Sequence, residues 1–155
     1  MPVIKIVSGG QTGVDRAALD VALQLGIPCG GWVPRGRRAE DGRIPSTYPL
    51  QEAASWKYDV RTRLNIRDAD ATLILTRGTP TGGGTALTIA IAQKLLRPCR
   101  VVDLDVEPHP EAVGRWLDDT GVKVLNVAGP RESGCPGIYA AATAFLRGLL
   151  DEAAR

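Results

Sequence analysis

Five short apolar runs rich in β-branched residues, "VIKIV" (3–7), "CGGWV" (29–33), "ATLIL" (71–75), "RVVDL" (100–104) and "VKVLNV" (122–127), alternate with longer stretches of helical periodicity. This alternation is what most constrains the fold. A strand that leads through a helix to another strand returns in the same direction by a right-handed crossover, so repeated units build a parallel sheet covered on its faces. The expected fold class is α/β, a Rossmann-like, doubly wound and mainly parallel sheet of about five strands flanked by helices.

Helices are expected near 15–26, 52–64, 85–96, 111–119 and 137–153. In the first, Val14, Ala18, Val21, Ala22 and Leu25 share a face; in the second, Ala53, Trp56, Val60 and Leu64 do so. Val113, Trp116 and Leu117 point inward in the fourth, and Ile138, Ala142, Phe145, Leu149 and Leu150 form the stripe of the fifth. The third is apolar almost all round, which predicts the most buried helix; the same surface could serve self-association into a homo-oligomer. With 155 residues, no repeat and no linker, residues 1–155 are expected to form a single ligand-binding domain.

Composition narrows the partners. Hydrophobic residues at 44% and charged residues at 23% match an ordinary globular protein. No apolar run reaches the ~20 residues of a membrane span, and "MPVIKIV" lacks signal-peptide anatomy, so a cytoplasmic location and no membrane partner are expected. A net charge of +2, without an aromatic-rich basic stretch, argues against nucleic acid. Cys29, Cys99 and Cys135 form no C-x-x-C pair and the one histidine, His109, lies between prolines, so neither zinc nor a disulfide framework is expected. Cys135 sits in "GPRESGCPG", where a thiol could touch a ligand.

Three glycine-rich stretches follow strands and open helices: "SGGQTGVD", "TRGTPTGGGTALT" and "NVAGPRESGCPGIY". In a parallel sheet such loops gather at the carboxyl edge, where ligands bind. Glycine lets a backbone N–H approach an anion closely, and a helix N-terminus adds positive potential. The candidate binding residues are therefore Ser8, Gly9, Gly10, Gln11, Thr12, Gly13 and Asp15 from the first loop. Arg77, Gly78, Gly82, Gly83, Gly84 and Thr85 come from the second, and Arg131 from the third. Arg77 and Arg131 could give bidentate bonds to an oxyanion, or form ordinary surface salt bridges. A small phosphorylated ligand is the expected partner. The first loop matches G-x-G-x-x-G only with Ser8 in the leading position, and "GWVP" offers no acid for a ribose, so NAD is not expected.

The segment 34–51, "PRGRRAEDGRIPSTYPLQ", exceeds ordinary loop length and carries Arg35, Arg37, Arg38 and Arg43. It is either a solvated excursion or a lid over an anionic ligand, with Arg35 the candidate contact. Asp15, Glu40, Asp41, Asp103, Asp105 and Glu132 are the available acids, and no pair has a spacing that commits it to catalysis.

The stretches "SGGQTGVDRAALD", "GWVPRGRRAEDGRIPSTYPL", "NIRDADATLILTRG", "GGTALT" and "VLNVAGPRES" followed by "PGIY" resemble the molybdenum carrier protein family, circularly permuted YpsA-like members of a Rossmann-like superfamily. The resemblance implies kinship with the lonely-guy phosphoribohydrolases. It also implies a role in binding the molybdenum cofactor (molybdopterin), a pterin carrying a phosphate and a molybdenum-oxo group. Those hydrolases carry P-G-G-x-G-T-x-x-E, whereas "TGGGTALT" places Thr88 where their glutamate falls, which counts against the same hydrolysis. An enzyme or sensor acting on a nucleotide-derived phosphorylated ligand is the alternative.

Overall fold

A computed structural model of the chain describes residues 2–78 and 83–151. Its first half runs β1 (Lys5–Val7), α1 (Val14–Leu25), β2 (Cys29–Gly30), β3 (Trp32–Val33), β4 (Arg38–Ala39), β5 (Gly42–Arg43), β6 (Gln51–Glu52) and α2 (Tyr58–Asp68). Then come β7 (Ala71–Thr76), α3 (Gly83–Lys94), β8 (Cys99–Asp103), α4 (Glu111–Thr120), β9 (Val124–Ala128), a 3-10 turn (Glu132–Gly134) and α5 (Ile138–Leu150). Five of the strands form one sheet in the order β2-β1-β9-β7-β8, every pair parallel. The expected α/β, Rossmann-like architecture is the one observed.

The strand order carries a message about connectivity. The last strand, β9, is inserted between β1 and β7. Counting from β9 instead of β1 turns the order into 3-2-1-4-5, that of a dinucleotide-binding sheet. The chain is thus a Rossmann-like sheet whose starting point has been moved, and its switch point lies between β9 and β7.

Strand side chains alternate between faces. Leu73 and Leu75 of β7, with Ile6, Leu125 and Val127, pack into the main core with α1, α4 and α5. Each fully buried aliphatic side chain there contributes about 1.5–3 kcal/mol relative to exposure. Thr72, Ile74 and Thr76 lie at the alternate positions of β7, and Asn126 Nδ2 donates to Thr72 Oγ1 across to β9 (3.2 Å). A polar pair in the middle of a buried sheet marks the face on which the candidate site forms.

Three expectations change. The run at 29–33 splits at Gly31 (φ +132): β2 joins the main sheet, while β3 pairs with β6 in a small sheet of its own. Because Gln51–Glu52 is drawn into that pairing, α2 begins only at Tyr58, and Trp56, expected on its inner stripe, is 60% exposed. Within α3 only Thr88 and Ala92 are buried and Leu87 is 43% exposed, so the expected most buried helix is a surface helix. Apolar composition all round does not bury a helix unless a second layer covers it, and α3 has its neighbours on one side.

Candidate functional site

A cavity of about 490 Å³ opens at the carboxyl ends of β7 and β9. Ile74 and Thr76 of β7 and Asn126 and Ala128 of β9 form its floor, with Thr88 of α3. Gly9, Gln11 and Asp15 close one side, Arg61 and Asn65 of α2 another, and Gly129, Pro130, Arg131 and Cys135 a third. Arg77 and the first turn of α3 (Gly83, Gly84, Thr85) complete the rim. All three glycine-rich loops therefore converge, at the place where the strand order reverses.

The first loop meets the cavity in an unexpected way. Three of the amides expected to face an anion are hydrogen-bonded within the loop. Gly10 N donates to Ser8 Oγ (3.4 Å), Thr12 N to Gln11 Oε1 (3.0 Å) and Gln11 N to the Asp15 carboxylate (3.3 Å). Asp15 thus turns its carboxylate to the loop, and Arg61 Nη1 pairs with it at 3.1 Å. Burial pushes the Asp15 carboxyl above the ordinary range, against the opposing pull of Arg61. Gly78 N is likewise taken, by Asp103 Oδ1 at 3.0 Å.

Glycine in this loop serves close packing. A Cβ at Gly9 would stand 1.4 Å from Arg61 Nη1, so the missing side chain is what admits the guanidinium to Asp15. Gly13, at φ +80, lies where a Cβ would meet Pro130 O at 2.3 Å; it lets the first and third loops touch. Ser8, Gly10, Thr12 and Gly13 brace the cavity from behind without lining it.

The far rim holds other expected residues. Gly83, Gly84 and Thr85 open α3, whose N-terminal end carries positive potential. Arg77 is half-exposed and pairs with Asp105 (3.1 Å), a weak and exchangeable surface bond. Gly82 lies outside the described residues. Arg61, Thr76, Thr88 and Asn126 were not among the expected site residues. The signal for Asn126 was present: an amide in the apolar run "VLNV" has no place in a purely structural strand. Arg61 carried no such signal, because its partner is 46 residues away.

These loops and this strand order agree with the comparisons. The chain matches the circularly permutated YpsA SLOG family over residues 6–150. It belongs to that family. A crystal structure from Syntrophus aciditrophicus SB, named "Putative molybdenum carrier protein", is similar at 46% identity and a TM-score of 0.91, over 96% of this chain and 95% of that one. No curated protein gives a significant match.

In this SLOG-family chain, segment 34–51 is held to the first and third loops by its own hydrogen bonds. It is a strap built around Arg37, whose buried guanidinium donates to the carbonyls of Ile44, Pro45, Tyr48 and Leu50. Glu40 binds the Thr12 hydroxyl, the Ser133 amide (3.2 Å) and the Ser133 hydroxyl, and Arg16 grips Asp41 at 3.0 and 3.1 Å. The hydrogen bonds from Ser133 and Thr12 hold the Glu40 carboxyl below its usual range. The strap thereby ties the first loop to the third from outside the cavity. Arg35 lies apart from the cavity, beside Gly36, Arg38 and Trp56. No helix among the described residues is long and apolar enough to cross a membrane.

Proposed function

We propose that the protein binds and carries a small phosphorylated ligand in this cavity, the molybdenum cofactor being the candidate suggested by the name of the similar solved structure. The observation that carries the reading is a concave site walled by Arg61, Arg77 and Arg131 and by the start of α3, with the polar side chains of Thr76, Thr88 and Asn126 in its floor beside Ile74 and Ala128. Gln11 Nε2 and Arg61 Nε are buried and have no hydrogen-bond partner among the described residues. Buried donors without acceptors suit a ligand rich in oxygen.

The donor set fits a phosphate and a heterocycle edge. Arg77, Arg131 and the first turn of α3 would hold the phosphate, while Asn126, Thr76 and Thr88 would meet the ring. Among the described residues no group of three or more His, Cys, Asp and Glu is placed to hold a bare metal ion. The molybdenum centre and its reactivity would come with the organic cofactor; the chain's own residues would bind, orient and shield it.

Calorimetry with a pterin phosphate and with a nucleoside monophosphate, beside mass spectrometry of the gently purified protein, tests this reading. Gly83→Val should lower ligand affinity at least about tenfold, with the melting temperature unchanged, because a Cβ there meets nothing within 4 Å. Full affinity in that variant would remove the α3 terminus from the site. A second reading rests on Asp15, a buried carboxyl raised in pKa on the cavity wall: it could donate a proton in turnover of a nucleotide-derived ligand. Turnover of a nucleoside monophosphate that is lost in Asp15→Asn would favour it. Self-association through the uncovered side of α3 belongs to the same proposal, and a monomeric mass by light scattering would remove it.

A further inference from the structure

The β4–β5 hairpin sets like charges against each other. Arg38 and Arg43 are direct cross-strand partners, an arrangement that weakens an antiparallel pair. Both side chains are exposed, as is Arg35. The Arg38 guanidinium lies 5.9 Å from the ring centroid of Trp56, itself 60% exposed, and Arg35, Gly36, Arg38 and Trp56 line a shallow concavity. Among the described residues, none of the three arginines forms an ion pair with an acid.

The ledge is rigid. Arg37 fixes it from below through four carbonyls, Gly36 N donates to Glu52 Oε1 (2.7 Å) and Arg35 N to Ser55 O (2.9 Å). A surface that sets Arg35 and Arg38 beside an exposed indole, with Arg43 across the hairpin donating to Gly36 O (3.4 Å), has the composition of a protein-binding hot spot. Opposing Arg38 to Arg43 weakens the hairpin, and the Arg38–Trp56 cation–π contact offsets only part of the cost of leaving the indole 60% exposed.

We propose that this ledge docks an acidic segment of a partner protein, its carboxylates received by Arg35, Arg38 and Arg43 and an apolar side chain by the face of Trp56. Arginine forks match carboxylates in geometry, and the indole supplies contact area at small entropic cost. One aromatic residue and a short, compact set of arginines suit a peptide better than a nucleic-acid strand, which needs a basic track with repeated stacking platforms. The ledge shares no residue with the cavity, so the inference stands apart from the identity of the carried ligand.

Fluorescence anisotropy with a labelled peptide of aspartate and glutamate around a central leucine, and separately with labelled oligothymidylate, tests it on the full chain. The peptide should bind in a salt-sensitive manner and more tightly than the oligonucleotide. Arg38→Glu should weaken peptide binding at least about tenfold, while the variant melts at or above the wild-type temperature, since it places opposite charges across the hairpin. Trp56→Ala, at an exposed position, should weaken binding without loss of fold. Peptide affinity unchanged in folded Arg38→Glu, tighter binding of oligothymidylate, or no peptide binding by the wild type at about 1 mM would each overturn the proposal.

Discussion

Replacing Arg61 by leucine is expected to cost roughly 3–5 kcal/mol of stability at neutral pH, the usual penalty for leaving a buried charge without its partner. The side chains of Asp15 and Arg61 are 6% and 13% exposed, and the guanidinium fits only because Gly9 has no side chain. The loss should depend on pH with a definite sign. Burial already raises the folded-state pKa of Asp15, and removing Arg61 raises it further. Between the unfolded and folded pKa values the native state then holds the extra proton, so stability falls as pH rises through that interval. Urea denaturation should therefore find the variant closer to wild type near about pH 5 than near about pH 8. Adding Asp15→Asn should recover much of the loss at the higher pH, because it removes the stranded charge. A small deficit, equal at both pH values, would mean that the pair is solvated and does not organise the wall.

The second large effect is expected at Gly13. Its backbone lies at φ 80 and ψ −129, a region closed to side-chain-bearing residues, and an added Cβ would meet the Pro130 carbonyl at 2.3 Å. Gly13→Ala should therefore lose about 3 kcal/mol or more, from backbone strain together with displacement of the third loop. Gly26 supplies the control, since it has φ +71 at the end of α1 but nothing within 4 Å of its Cβ. Gly26→Ala should cost only the left-handed strain, about 1–2 kcal/mol. Denaturation midpoints of the two variants isolate the contribution of the loop contact. The same comparison by calorimetry should show ligand affinity falling in Gly13→Ala and holding in Gly26→Ala. Equal losses in both would show that the first and third loops do not depend on each other.

The alternation of apolar runs and amphipathic stretches was sufficient for the parallel sheet, because periodicity is a local property and crossover handedness is nearly invariant. It also gave the inward stripes of α1, α4 and α5, where Val14, Ala18 and Val21, Val113 and Leu117, and Ile138, Ala142 and Phe145 are buried at helical spacing. The convergence of the glycine loops followed from the same logic, since loops after parallel strands must share an edge. Where the reading failed, a distant residue had decided the outcome. Trp56 turned outward because residues 51–52 pair with 32–33, and α3 stayed exposed because nothing packs over its far side.

By itself the sequence determined the sheet, its helical layers and the edge on which a ligand can sit, all of which depend on spacing along the chain. The tertiary structure alone decided which residues of the three loops line the cavity. Insertion of β9 between β1 and β7 puts the switch point beside the second and third loops, and in the first the amides of Gly10, Gln11 and Thr12 are taken by Ser8, Asp15 and Gln11 side chains. Strand order and ion pairs between distant residues leave no trace in local periodicity, since their energies arise only when remote segments meet.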